Sequence, residues 1–373
     1  MSTKPLFKES SIDDALFSEL NQKANNYFRN AVSEISLYTK DAEEGGRNPK
    51  IGIEIELERV GIRNISNHNG VDYLDGNKGV VLDDFPFTKY FMVTKDGSLR
   101  NGGAEFISRL GLSLPTVLKA TKELLTFYPD SGIFKRIPEA TYRTSVHVHY
   151  NGLNKRVKQL KLILFWYMML EPLFFKHSGQ RNTNIFTVPV TTATLLNTGS
   201  GLLTASTRLE VLSGFGDWQK YSALNLQPLY STTGGSIEFR HHRGTIDYEE
   251  IKSWINLIDA FINTVEYLNL NSVQKCYDYV LKWVERRDIS PVVGLFGSVF
   301  RNLNKEDHQI LTHHMQYVLN GMVKALITLN DDDIFDEDLN KPKRNKNKER
   351  KFNPIDDVAQ SHNEWINALP DNF

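Results

Sequence analysis

Residues 51–58 read Ile-Gly-Ile-Glu-Ile-Glu-Leu-Glu, and they decide how the rest of the chain is interpreted. Aliphatic residues at every second position alternate with glycine or glutamate, which is the pattern of a β-strand with one buried face. The other face carries Glu54, Glu56 and Glu58, spaced roughly 6.5–7 Å apart along the strand. Because neighbouring like charges destabilise a sheet, this face requires water, basic partners or metal ions. We interpret it as a metal-binding face.

Three further stretches show the same division into an apolar face and a face of charged or imidazole side chains. They are residues 104–108 with Glu105, residues 144–150 with His147 and His149, and residues 236–243 with Glu238, Arg240 and His242. Carboxylates with imidazole suit hard divalent ions such as Mg²⁺ or Mn²⁺, and a nearby arginine suits a phosphoryl group held against the metal. Taken singly, each motif is more often a solvated sheet face, a structural histidine or an ion pair. Their joint occurrence favours one site for metal and phosphate.

The composition limits the classes of function. The chain has 44 basic and 45 acidic residues among 373, a net charge of −1, which argues against a general nucleic-acid binder. A single cysteine, Cys276, excludes an intrachain disulfide and a multi-cysteine zinc site, and its helical surroundings indicate a small core residue. The longest apolar run, residues 162–170, is too short to span a bilayer. We expect a soluble, cytoplasmic protein with no membrane or nucleic-acid partner, and the low cysteine count fits a bacterial or phage product.

Helical patterns surround these strands. They cover residues 10–40, 114–127, 155–177, 248–286 and 294–329. The pattern at 155–177 is apolar nearly all round, as in a buried core helix, and Pro172 is expected to kink or end that helix. Residues 179–245 are rich in Thr, Asn and Gly and are interpreted as long loops over a cleft.

The composition changes abruptly after residue 330. Residues 331–338 are acidic and residues 341–351 are basic, and such charged blocks are usually solvated. We therefore divide the chain into a catalytic domain over 1–330, with core motifs at 50–250 and a helical part at 248–330, a charged linker or disordered loop over 331–353, and a short C-terminal segment over 354–373.

Taken in order, the motifs resemble the amidoligase family, a glutamine-synthetase-like group of carboxylate–amine ligases related also to glutamate–cysteine ligases. The matching stretches are IEIE at 53–56, DGS at 96–98, GAEFIS at 103–108, HVH at 147–149, IEFR at 237–240 and GT at 244–245. The resemblance covers about residues 50–250. Neither glycine-rich phosphate-binding pattern, G-x-x-x-x-G-K-[ST] or G-x-G-x-x-G, occurs in the chain, so metal ions and arginines on a sheet would have to hold a nucleotide.

The resemblance implies an α+β fold like the glutamine synthetase catalytic domain, with a curved antiparallel sheet enclosing the active site and helices packed outside. It implies ATP and two or more Mg²⁺ (or Mn²⁺) ions as cofactors. By motif position, the residues that resemble metal ligands are Glu54, Glu56, Glu105, His147 and Glu238. Those that resemble ATP-binding residues are His149, Arg240 and Arg143. Those that resemble catalytic residues are Arg240, Glu238 and Glu105. Asp96, Arg181 and Lys220 are the candidates for contacts with substrate.

The reaction that the resemblance implies is amide-bond formation. A carboxylate attacks the γ-phosphorus of ATP, and an amine then displaces phosphate from the acyl phosphate to leave a peptide or isopeptide bond. The expected partners are small-molecule or peptide carboxylate and amine substrates, with a separate glutamine amidotransferase if glutamine supplies the nitrogen. Three alternatives remain open: a phosphotransferase of the same fold acting on a guanidino or other acceptor, a non-catalytic metal- or nucleotide-binding protein, and a metal-dependent hydrolase or nuclease.

Overall fold

The computed structural model describes most of the chain between residues 51 and 336. The described residues are 51–60, 64–68, 71–75, 90–94, 96–108, 112–130, 139–152, 155–179, 181–205, 210–212, 214, 218–230, 235–268, 272–300 and 303–336. The helix expected over 10–40, the basic part of the charged segment and the C-terminal segment lie outside them. None of the described helices is long and apolar enough to cross a membrane.

Within the described part of the chain, six strands form one antiparallel sheet. The strand with the alternating glutamates, Ile51–Leu57, lies near its centre. In the described residues the strands are β1 Ile51–Leu57, β2 Asn64–His68, β3 Val71–Asp75, β4 Phe91–Thr94, β5 Ala104–Ser108, β6 Ser145–Asn151, β7 Leu224–Asn225 and β8 Ser236–Arg243. The order across the sheet is β4-β5-β1-β6-β8-β7, while β2 and β3 pair separately. The four strands predicted to carry functional faces are therefore consecutive neighbours, β5-β1-β6-β8.

Helices pack against this sheet and against one another. They are α1 Leu114–Asp130, α2 Val157–His177, α3 Ala193–Thr204, α4 Gln227–Tyr230, α5 Tyr248–Leu268, α6 Val273–Glu285, α7 Ser290–Phe296 and α8 Lys305–Asp336. Helix α1 packs against β1, α5 against β6 and α2 against β8. The predicted α+β class is confirmed, and likeness to the glutamine synthetase domain stays a prediction.

The apolar faces of the strands and helix α2 form one core. The side chains of Ile51, Ile53 and Ile55 in β1 are at most 1% exposed. Phe174 in α2 has ring contacts with Phe239 in β8, and its other ring partners are Tyr167, His241, Trp254, Phe261 and Phe300. Cys276 is fully buried in α6, and burial raises the pKa of its thiol to about 12, so its interpretation as a core residue is confirmed.

Helix boundaries differ from the predicted ones at several places. Residues 179–245, predicted as loops, contain α3, β7 and α4. The single helix predicted over 248–286 is two helices, because Ser272 starts α6 by accepting a hydrogen bond from the amide of Lys275. The last helix continues to Asp336 and so includes residues 331–336, which were assigned to the charged segment.

Helix α2 passes through Pro172 and ends only at His177. Of the two predicted effects of this proline, a kink or an end of the helix, the end does not occur. Proline lacks the N–H that would bind the carbonyl four residues earlier, which belongs to Met168. In its place His314 of α8 donates from Nε2 to the Met168 carbonyl oxygen over 2.8 Å. Burial lowers the pKa of His314 to about 4, so the imidazole is neutral at physiological pH. The missing helical hydrogen bond is thus replaced from a distant helix.

We expect His314→Leu to lower the free energy of unfolding by about 1–3 kcal/mol, because it leaves the Met168 carbonyl buried without a donor. In a Pro172→Ala background the same substitution should cost less, since an alanine N–H can bind that carbonyl. Urea unfolding of the four proteins gives the coupling energy. Equal costs in both backgrounds would contradict this account of the helix.

Candidate active site

Strand register brings the predicted carboxylates and imidazoles together on one face. In the pairing of β1 with its neighbours, Glu54 lies opposite His147 and Glu56 lies opposite Glu105. On the next pair, His149 of β6 lies opposite Glu238 of β8. Since side chains alternate in direction along a strand, these residues project from the same face of the sheet.

His147 lies at the centre of this face and is 1% exposed. Its Nδ1 is 2.9 Å from Glu54 Oε2 and 3.3 Å from Glu238 Oε1. His149 lies beside it, with Nε2 3.0 Å from Glu54 Oε1 and Nδ1 3.0 Å from the Ser236 hydroxyl. Both imidazoles thus face the carboxylates with at least one nitrogen.

Among the residues that the structure describes, three groups of side chains have the composition and spacing of cation sites, with ligand atoms within 4.8 Å of one another. They are Glu54, His149 and Glu238; Glu54, Glu105 and His147; and Glu56, Asp96 and Glu105. All five predicted metal ligands occur in these groups. His149, predicted to contact phosphate, and Asp96, predicted to contact substrate, also lie at ligand distance. Oxygen donors with imidazole fit Mg²⁺ or Mn²⁺.

The pKa shifts show how strongly these charges interact. Burial, together with the charges of Glu54, Glu56 and Asp96, raises the pKa of Glu105 to about 9. Burial disfavours the charged form of His149 and so acts to lower its pKa. The attraction of the Glu54 carboxylate is stronger than this effect and raises the pKa of the imidazole to about 9. Burial likewise opposes ionisation of Glu54, but the charge of His149 and hydrogen bonds with both histidines hold its pKa well below its usual value. The face therefore accommodates added positive charge.

The loop between β4 and β5 carries Asp96 and ends in a tight turn before β5. Asn101 and Gly102 have positive φ angles, and the amide of Gly103 donates to the Arg100 carbonyl, as in type I′ turns. Glu58, on the strand face that we interpreted as metal-binding, instead accepts a hydrogen bond from the Arg100 amide over 2.9 Å. Glu58 belongs to none of the three cation groups, and its carboxylate binds the loop backbone instead.

Arg143 also contacts this loop. Its NH1 donates to the Ser98 carbonyl over 3.2 Å and its Nε lies 3.2 Å from the Tyr142 hydroxyl. The bond to Ser98 connects the segment before β6 to the loop that bears Asp96. The predicted contact of Arg143 with ATP stays a prediction. Lys220 is exposed, and its Nζ lies 5.7 Å from the ring centre of Tyr221.

Two buried guanidinium groups lie at the β8 side of the face. Arg240 donates from NH1 to Glu238 Oε1, and its Cζ lies 6.0 Å from the centre of the Tyr221 ring. Its buried Nε has no hydrogen-bond partner among the described residues. Arg181 donates from NH1 to the His242 carbonyl over 3.0 Å, and burial lowers its pKa to about 10 against the opposing attraction of Glu56. This pair supplies positive charge beside the carboxylates.

A β-bulge changes the direction of the side chains after Arg240. The register of β6 and β8 shifts between Val146 and Val148, so His242 lies opposite Val146. Its ring packs 5.6 Å from that of Trp254, which is in the apolar core. The prediction that His242 shares the face of Glu238 is therefore wrong, because the extra residue in β8 reverses the alternation.

Several residues of the site were missed in the sequence. Asn225 donates from Nδ2 to Glu238 Oε2 over 2.6 Å, and Thr94 donates to Glu105 Oε2 over 3.2 Å. Ser145 lies between Glu56 and His147. The alternation that identified His147 also places Ser145 on the functional face, so this residue had a visible signal. Asn225 and Tyr221 had none, because both reach the site from a segment that had been interpreted as a loop.

We expect the metal-free protein to lose stability as pH rises from about 6.5 to about 9. The folded-state pKa values of Glu105 and His149, both about 9, exceed their ordinary values of 4.5 and 6.5, so the unfolded chain releases these protons first. Glu54, whose pKa is lowered, contributes no slope in that range. Thermal unfolding in EDTA across this pH range measures the effect, and Glu105→Gln should reduce the slope. A flat profile would contradict these shifts.

Comparison with known proteins finds a family that matches part of the chain. No curated protein matches the chain. Residues 135–262 match the model of a family described as "putative amidoligase enzyme", about a third of the 373 residues. The matched segment contains His147, His149, Glu238 and Arg240, whereas the acidic residues of β1 and β5 lie outside it. The resemblance to the amidoligase family is thus confirmed over residues 135–262, and the family's name indicates a ligase-type enzyme.

Proposed function

We propose that the chain is an ATP- and Mg²⁺-dependent carboxylate–amine ligase that forms a peptide or isopeptide bond through an acyl phosphate. The observation that carries this proposal is a single sheet face on which three cation-type groups adjoin a buried arginine. Carboxylates alone would fit many metal proteins. The adjacent arginine adds a contact suited to phosphate, and the family match adds the ligase chemistry.

The residues on this face fit divalent cations. Glu54 and Glu105 each occur in two of the three groups, so they would bridge neighbouring ions. The remaining ligands would be Glu56, Asp96, His147, His149 and Glu238. When bound, such cations neutralise phosphate charge and orient the phosphates for in-line transfer.

Arg240 is the candidate for stabilising the transferring phosphoryl group. Glu238 holds its NH1, the Tyr221 ring lies near its guanidinium, and its Nε remains without a partner in the described residues. A guanidinium held in this way needs little rearrangement when charge develops on an anion. Removing one preorganised group of this kind typically costs on the order of 10²–10³ in rate.

Arg181 is the candidate for binding the substrate carboxylate. It is 7% exposed, and its guanidinium is influenced by the charges of Glu56 and Arg240. The His242 and Tyr142 carbonyls fix its orientation. In the proposed reaction the carboxylate would attack the γ-phosphorus of ATP to give an acyl phosphate and ADP. An amine would then displace phosphate and lose a proton, which leaves the amide. If glutamine supplies that nitrogen, a separate amidotransferase would release it.

We expect calorimetry to show ATP binding that depends on Mg²⁺ and is abolished by EDTA. Both Glu105→Gln and Arg240→Ala should weaken it, the first by removing a ligand shared by two cation groups and the second by removing a phosphate contact. Lys252→Ala, which removes an exposed lysine paired with Glu249 on α5, serves as a control that should bind as the wild type does. Absence of ATP binding with Mg²⁺ and with Mn²⁺ would refute the proposal.

The identity of the product tests the ligase step itself. With candidate carboxylates and amines, mass spectrometry should detect an amide together with ADP and free phosphate. A phosphorylated guanidino or other acceptor, without free phosphate, would instead indicate a phosphotransferase built on the same site.

A further inference from the structure

The hydroxyl of Ser145 joins two residues of the candidate metal face. Ser145 is the first residue of β6 and is 3% exposed. Its Oγ lies 2.5 Å from Glu56 Oε2 and 2.6 Å from His147 Nε2. The two partners belong to different cation groups, one with Asp96 and the other with Glu54. No role follows for this serine from the family match or from the motif positions.

The direction of the hydrogen bonds around Ser145 is determined by the number of protons available. An ionised carboxylate only accepts, so the single Ser145 hydroxyl proton is donated to Glu56. The serine oxygen can then only accept from the imidazole, and His147 must carry its proton on Nε2. In the neutral ring this leaves the lone pair on Nδ1.

The Nδ1 atom of His147 points at two carboxylate oxygens. They belong to Glu54 at 2.9 Å and to Glu238 at 3.3 Å. A lone pair facing two acceptors is unfavourable unless a proton or a cation lies between them. The arrangement is the usual one for a metal-binding histidine, whose second nitrogen donates to an outer partner that fixes the tautomer.

We propose that Ser145 is a positioning residue that holds His147 in the Nε2-protonated tautomer and so presents Nδ1 to the divalent cation of its group, shared with Glu54 and Glu105. The inference rests on the proposed function for the cation itself. By donating to Glu56 Oε2, the same hydroxyl also fixes a carboxylate of the neighbouring cation group. Ser145 therefore links the geometry of two cation positions without contacting either ion.

The tautomer can be read directly from the ring nitrogens. Protein labelled with ¹⁵N in its histidine rings is studied by long-range ¹H–¹⁵N correlation, at a pH at which the His147 ring is neutral, and His147 is assigned by comparison with His147→Gln. We expect Nε2 to be protonated in the wild type and Ser145→Ala to lose that preference. Ser145→Thr, which keeps the hydroxyl, should behave as the wild type.

Calorimetric titration with Mg²⁺ tests the consequence for the cation. Loss of an outer partner of a metal-binding histidine typically weakens metal affinity about 10–100-fold, and we expect this for Ser145→Ala. The matched control is Ser108→Ala, which removes another buried hydroxyl whose partner is the backbone amide of Ile53 rather than a proposed ligand. It should leave Mg²⁺ affinity and the His147 tautomer unchanged, even if it lowers stability.

Two outcomes would overturn this inference alone: an unchanged His147 tautomer in Ser145→Ala, or wild-type Mg²⁺ affinity in that variant. Equal weakening by Ser108→Ala would also overturn it, since the loss would then reflect a general disturbance of the sheet. A wild-type protein that binds neither Mg²⁺ nor Mn²⁺ would instead refute the proposed function, and the NMR result would still decide whether Ser145 sets the tautomer.

Discussion

The crowding of carboxylates on one sheet face is the constraint on which the site depends. Glu56 lies directly opposite Glu105, a pairing of like charges that destabilises a sheet. Buried charge is tolerated only when it is paired or neutralised. At the β6–β8 side, His149 and Arg240 neutralise Glu54 and Glu238. At the β5 side the pKa of Glu105 is raised, so in the metal-free protein a proton takes the place of a cation.

The opposite face of the same strands supplies the rigidity that such crowding requires. In sequence, Ile53 and Ile55 alternate with the glutamates of β1, and both are buried. In β8, Phe239 lies between Glu238 and Arg240 in sequence, and its ring packs on that of Phe174. Each functional side chain is therefore flanked in sequence by a core residue. A strand held in this way cannot rotate to separate its charges, because doing so would expose its apolar face. The cost of repulsion is thus offset by the free energy of the core.

Local patterns in the sequence were enough to predict the strands and the face that carries the site. Alternation identified β1, β5, β6 and β8, and the motif order predicted that their polar residues converge. Long-range contacts were not predictable in this way. The replacement of the Pro172 hydrogen bond depends on His314, which lies in a different helix. The position of His242 depends on a bulge that appears only when β6 and β8 pair, and Glu58 is diverted to the Arg100 amide by the path of a loop.

The same bulge gives the site its asymmetry. It leaves Arg240 on the face with Glu238 while turning His242 toward Trp254, so that His242 joins His241 on the core side. The His242 carbonyl is then available to bind Arg181. The guanidinium groups consequently lie at the β8 side of the face, beside Glu238, while the β1 and β5 side carries only carboxylates among the charged residues described there. An acidic patch alone would attract cations and repel anionic substrates, whereas arginines at its border allow an anion to approach the ions. This arrangement is compatible with the proposed reaction between two anions, a carboxylate and a nucleotide phosphate.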